Sequence, residues 1–129
     1  PYLFSNSLMP AIAQATLAAL DLLEGSDAPR RQLQENAAYF RSRMGALGFT
    51  LAGEGHPIIP VMLGDAKLAS TFADQMLAEG VYVIGFSFPV VPQGKARIRT
   101  QMSAALTRAD LDLAISAFST VGRRLGVIR

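Results

Sequence analysis

The spacing of apolar and polar positions divides the chain into helical and extended stretches. Pro1–Ser7 has no helical period and reads as an extended lead-in. Ser7 is then the predicted N-cap of a helix over Leu8–Glu24 that Gly25 stops. Pro10 falls in the first turn, where its missing N–H is tolerated. Ile12, Ala13, Ala15, Leu17, Leu20, Leu22 and Leu23 leave almost no polar side between Gln14 and Asp21. A helix apolar all round is buried on all sides. A small domain cannot surround such a helix, so the pattern predicts a neighbour, either another domain or another subunit.

A second helix is predicted from Ser26–Asp27, with Pro29 in its first turn, to Leu47, closed by Gly48. Its inward stripe is Leu33, Ala37, Phe40, Met44 and Leu47, and Arg30, Arg31, Gln34, Glu35, Arg41 and Arg43 take the other side. A short strand over Phe49–Ala52, a turn at Gly53–Pro57 and a second strand over Ile58–Leu63 follow. The unbroken apolar run of that second strand predicts burial on both faces, while Pro60 assigns it to a sheet edge or a bulge. His56 has no carboxylate or nucleophile close by in sequence and reads as a loop histidine tied to turn backbone.

Gly64–Asp65 caps a third helix, Ala66–Glu79, with Leu68, Phe72, Met76 and Leu77 inward. Val81–Ser87 is predicted as a third strand, Phe88–Gln93 as a rigid loop and Lys95–Gln101 as a fourth strand. Thr107 opens the last helix, and Asp110 three residues on completes a capping-box pattern. Leu111, Ala114, Ile115, Phe118, Val121 and Leu125 face inward there, with Arg123 and Arg124 at the end where the helix dipole favours cations. The last six elements predict an α/β (α+β) sandwich, a small and mostly antiparallel sheet with helices on one face.

Composition narrows the function. Of 129 residues, half are apolar and 17% are charged, which is apolar enough to point to surface meant for a neighbour. A net charge of +2, with arginines single or paired, gives no basis for nucleic-acid binding. With no cysteine and one histidine, neither a disulfide nor a multi-histidine metal site can be built within one chain. No apolar run reaches the length of a membrane span.

Chemistry concentrates in Phe88–Ala104, FPVVPQGKARIRTQMSA. Alternation sends Arg97, Arg99 and Gln101 to one face of the strand and Ala96, Ile98, Thr100 and Met102 to the other. Two guanidinium forks on a strand entered through a Pro/Gly-stiffened loop suit the capture of a planar anion such as a carboxylate. The competing reading is a surface strand whose arginines meet solvent.

Three stretches carry a resemblance: PYLFSNSL at Pro1–Leu8, HPIIPVMLGD at His56–Asp65, and P-V-V-P-x-G-x-A-R-I-R at Pro89–Arg99 continued by T-Q-M-S-A to Ala104. With the closing LGVI at Leu125–Ile128, the chain resembles the C-terminal part of the α-oxoamine synthases from end to end. These are pyridoxal-phosphate enzymes of the aspartate-aminotransferase fold. R-T-Q-M-S-A and Y-L-F-S-N-S favour the branch that condenses glycine with acetyl-CoA over the aminolevulinate, amino-oxononanoate and palmitoyl-serine branches.

The resemblance implies a cytoplasmic homodimer with pyridoxal 5'-phosphate as cofactor, glycine and acetyl-CoA as substrates, and 2-amino-3-oxobutanoate and CoA as products. It implies that Arg99 holds the glycine carboxylate and that Ser5 and Asn6 reach the cofactor phosphate of the other subunit. Arg97 gains no role beyond support or an ion pair, and Pro92 and Gly94 shape the loop. Residues 1–25 are then the tail of a large pyridoxal-phosphate-binding domain with its connecting helix, and residues 26–129 the C-terminal small domain.

Schiff-base chemistry needs a lysine. Neither Lys67 nor Lys95 lies in the family's lysine motif, which would precede Pro1, as would its aspartate for the pyridinium nitrogen and its histidine over the ring. The chain by itself is therefore expected to be inactive and to be part of a longer enzyme. Three readings stand beside this one: an α-oxoamine synthase of the amino-oxononanoate or aminolevulinate type, a free-standing amino-acid-binding regulatory module without catalysis, and a pure dimerisation domain.

Overall fold

Four phenylalanines from four parts of the chain meet at the centre of the molecule. In the computed structural model, which describes residues 7–129, Phe118 lies 6.1 Å from Phe40, 5.9 Å from Phe49 and 5.5 Å from Phe72, ring centre to ring centre. The first two contacts are edge-to-face, where the positive rim of one ring meets the negative face of the other. Met44, Met76, Ile59, Val61 and Ile98 close the core around them.

The described elements are α1 (Pro10–Gly25), α2 (Ala28–Ala46), β1 (Ile58–Gly64), α3 (Ala66–Ala78), β2 (Gly85–Phe86), β3 (Ala96–Gln101) and α4 (Arg108–Arg124). The sheet has the order β1-β3-β2 and is antiparallel throughout. Ile59 pairs with Thr100 and Val61 with Ile98, and these four side chains are buried under α2, α3 and α4. The opposite face carries Ile58 beside Gln101, Pro60 beside Arg99 and Met62 beside Arg97. The predicted sandwich is therefore present, with its helices on one face and β3 in the middle.

The helical stripes follow the pattern of the sequence. Ala37, Phe40 and Met44 of α2 are buried, as are Leu111, Ile115, Phe118 and Val121 of α4. The Thr107–Asp110 capping box is formed in both directions. In α3, Phe72 and Met76 are buried but Leu77 is exposed, because it sits one residue round from the inward row.

Four further expectations change. The first helix starts at Pro10 with Met9 as its cap and no side-chain cap bond, so Ser7 is not the N-cap. Proline's fixed φ and absent N–H set the start of that helix instead. None of its residues is buried by the rest of the chain, and Leu17, Leu20, Leu22 and Leu23 are exposed. Phe49–Ala52 forms only one bridge, Leu51 to Val61, held by Met62 N–H to Thr50 O and Ala52 N–H to Pro60 O. Pro60 has no N–H to return to residue 52, so the ladder stops there.

Val81–Ser87 shrinks to Gly85–Phe86. The Val81 N–H closes the end of α3 by bonding to Met76 O, which starts the segment off the line of β3. Burial of β1 on both faces is also not found. Only Ile59 and Val61 are fully enclosed, while Ile58, Pro60 and Met62 are half-buried on the open face. Pro60 does mark an edge strand, and β1 carries an irregularity between Met62 and Gly64.

Candidate functional site

β3 separates two chemistries by alternation alone. Ala96, Ile98 and Thr100 go into the core, and Arg97, Arg99 and Gln101 go to the open face. Thr100 is satisfied where it is buried, donating through Oγ1 to Ile59 O at 2.7 Å. On the open face the register sets Phe86 of β2 opposite Arg97, so Arg99 is its diagonal neighbour. The Arg99 guanidinium carbon lies over the Phe86 ring, 4.1 Å from its centre.

Among the described residues Arg99 makes no hydrogen bond and no ion pair. Arg43 and Arg108 likewise make only a ring contact, both with Tyr39, whereas several other arginines are hydrogen-bonded or ion-paired. Arg124 meets Glu79 at 2.9 Å, Arg41 donates to Gly53 O at 2.8 Å, and Arg97 donates through Nε to Lys95 O at 2.9 Å. Arg97 is thus tied to the backbone of its own loop and is not half of an ion pair. None of the five N–H donors of Arg99 is taken up among the described residues. No acidic side chain shares the open face of the sheet, so nothing built in competes for them.

Beside Arg99 lies a cleft of about 600 Å³, opened where Val81–Ile84 runs clear of β3. Arg99 and Gln101 stand on one lip, with Val83, Met102 and Leu113 giving it an apolar wall. Asp110, also in its lining, is spent on the cap of α4. The Thr107 hydroxyl and then the Thr107 backbone N–H hold its carboxyl below the ordinary value of 3.8. The arrangement can bind and orient a carboxylate through a charge-assisted fork. It has no group placed to move a proton.

The remaining candidates fall away from this face or outside what is described. Ser5 and Asn6 lie outside the described residues. His56 is a turn residue, its Nδ1 accepting from the Ile58 N–H at 3.0 Å. Lys67 is exposed in the first turn of α3, and Lys95 is exposed one residue before β3. Among the described residues no group of His, Cys, Asp or Glu could hold a metal ion. Neither lysine lies within the open face of the three strands and no acid lies there; the described residues supply a wall suited to a carboxylate. No helix among them is long and apolar enough to cross a membrane.

Sequence reasoning missed two contributors. Sequence pattern places Phe86 only on a strand, because a cation over a ring depends on register between strands distant in sequence. Asn36, on the inward side of α2, is buried and donates through Nδ2 to Ser103 O and Leu106 O, both at 2.9 Å, pinning the segment after β3. A polar residue between Leu33 and Ala37 was the available signal. Where α2 meets α4, Arg108 sits 3.7 Å from the Tyr39 ring centre and the Tyr39 hydroxyl donates to Asp112. That hydrogen bond, with lesser help from desolvation, raises the Tyr39 hydroxyl above its ordinary 10.0, while the nearby guanidinium charges oppose it.

Residues 1–118 match the sequence profile of the family Aminotransferase class I and II. The chain is 56% identical over 128 residues to the 2-amino-3-ketobutyrate coenzyme A ligase of Escherichia coli K12, covering 99% of this chain and 32% of that protein. It is 55% identical to the mitochondrial 2-amino-3-ketobutyrate coenzyme A ligase of Homo sapiens, again over 99% of this chain and 30% of that protein. A high-resolution structure of SPT with PLP superposes with a TM-score of 0.91 at 29% identity, over 97% of this chain and 32% of the other. The chain therefore spans about a third of the length of the curated relatives it matches.

Proposed function

The chain belongs to the aminotransferase class I and II family, and from that we propose that it is the small domain of a pyridoxal-phosphate-dependent acyltransferase that joins glycine to acetyl-CoA. The products are 2-amino-3-oxobutanoate and CoA. The identity to two 2-amino-3-ketobutyrate coenzyme A ligases along almost the whole chain supports this choice of reaction. Pyridoxal phosphate, when bound, supplies the electron sink that makes an α-proton of glycine removable. In this reading residues 1–25 belong with a large cofactor-binding domain and residues 26–129 are the small domain. Homodimer formation and a cytoplasmic setting complete it. Ser5 and Asn6 contact the cofactor phosphate of the other subunit.

The task of the described residues is to hold the substrate's acid end. Arg99 grips the glycine carboxylate with two parallel N–H···O bonds from a rigid strand. Two atoms fixed in this way determine how the amino acid turns about its Cα, and so which C–H bond is presented for cleavage. The observation that carries the proposal is that Arg99 stands on the open sheet face with no side-chain donor taken up among the described residues.

The test is Arg99→Ala in the whole holoenzyme. A charge-assisted pair is worth about 1.5–3 kcal/mol, which corresponds to a rise in the glycine KM of roughly ten- to a hundredfold. The acetyl-CoA KM should stay where it is. Unchanged use of glycine, or equal damage to both substrates, would remove Arg99 from the role.

A further inference from the structure

We infer that Phe86 is a positioning residue for Arg99, a flat apolar seat that aims the guanidinium at the substrate carboxylate without consuming any of its hydrogen-bond donors. The inference rests on the role proposed for Arg99 above. An arginine on an open face has several rotatable bonds and ordinarily acquires an acid or a carbonyl partner. Arg99 has neither among the described residues; its one contact of this kind is the ring face of Phe86 at 4.1 Å. Attraction of a cation to a ring needs no acceptor atom, so the side chain is restrained while its N–H groups remain available. A nearby carboxylate would also have restrained it, but would have competed directly with substrate.

The seat is itself fixed. Phe86 lies in β2, paired to β3 at Gly85–Ile98 and Phe86–Arg97. On its other side β2 presses on α3 so closely that a Cβ at Gly85 would lie 2.8 Å from Ala69 O. The ring is therefore tied to the same core that holds β3, and the distance between seat and fork does not depend on a loose loop. Ordering the fork before substrate arrives lowers the entropy lost on binding. Leucine or alanine at this position would fill space but offer no ring face.

The experiment compares Phe86→Leu, Phe86→Tyr and Arg99→Ala in the whole holoenzyme. Equilibrium glycine binding is measured by calorimetry, together with both KM values and Tm. Phe86→Leu should weaken glycine binding and raise the glycine KM about three- to tenfold, the range expected for losing a cation–ring contact. Its acetyl-CoA KM should not move, and Phe86→Tyr should restore glycine binding. If the leucine variant does not fold, Phe86→Met is the replacement, with the same expectation. Normal glycine affinity in the leucine variant, with Arg99→Ala impaired, would overturn the seat and leave the carboxylate role standing. Equal loss for both substrates with a lower Tm would also overturn it, since that is general packing damage. Normal glycine affinity in Arg99→Ala would overturn both.

Discussion

At the scale of single residues, Asp110 and Arg99 show two different fates of a charged group. Asp110 is spent: it accepts from the Thr107 hydroxyl at 2.6 Å and from the Thr107 N–H at 2.8 Å, and both favour its charged form. Its folded pKa is depressed, so the stabilisation is fully present above the ordinary carboxyl value of 3.8 and is lost as pH falls below it. Thr107→Val removes the hydroxyl. The drop in Tm between about pH 5 and pH 3 should therefore be shallower in that variant than in the parent chain. Superimposable curves would mean the cap bond does not link to folding. Arg99 is the opposite case, an exposed charge on the open sheet face, and in the role proposed for it a substitution should change substrate affinity more than stability.

At the scale of elements, close approaches explain several small residues. Gly122 in α4 is buried, and a Cβ there would lie 2.5 Å from the tip of the Phe49 ring and 3.1 Å from Ile128. Phe49 cannot simply swing away, because its ring meets Phe72 and Phe118 edge-on at 6.4 and 5.9 Å. Gly122→Ala should therefore destabilise by about 1–3 kcal/mol, the usual range for overpacking a filled core. Alanine's better helix propensity recovers only part of that, since the gain over glycine is about 1 kcal/mol. Urea denaturation reads the difference directly, and a stabilised variant would show that the core around Phe49 yields. Such contacts are invisible along the sequence, where Gly122 looks like a weak spot in a helix.

At the scale of the whole molecule, α1 stands apart. It buries no residue against the rest of the chain and exposes Leu17, Leu20, Leu22 and Leu23 together with Ile12. Exposed apolar surface of this extent is costly in water and seeks cover. A polypeptide of these 129 residues should sediment as concentration-dependent oligomers. Leu17→Glu with Leu20→Glu should return it to a monomer with the core of residues 28–129 still folded by circular dichroism. A parent chain that is monomeric at all concentrations would show that α1 covers itself by refolding against the sheet.

Periodicity determined a great deal here without tertiary information. It determined the three packed helices and their inward rows, the alternation that separates Arg97 and Arg99 from Ile98 and Thr100, and the capping box at Thr107. Each depends on residues within one or two turns of each other, where local geometry fixes direction. Motif resemblance singled out Arg99 as the expected carboxylate ligand, because two guanidinium groups on one strand face are equivalent to any local rule. Only the tertiary structure decided that Phe49–Ala52 and Val81–Ile84 do not become full strands, since that depends on which backbone groups a distant partner can offer. It alone seated Arg99 over Phe86 and tied Arg97 to Lys95 O. Contacts of this kind are set by sheet register and by the fit of β2 on α3, and chain-neighbour spacing carries no record of either.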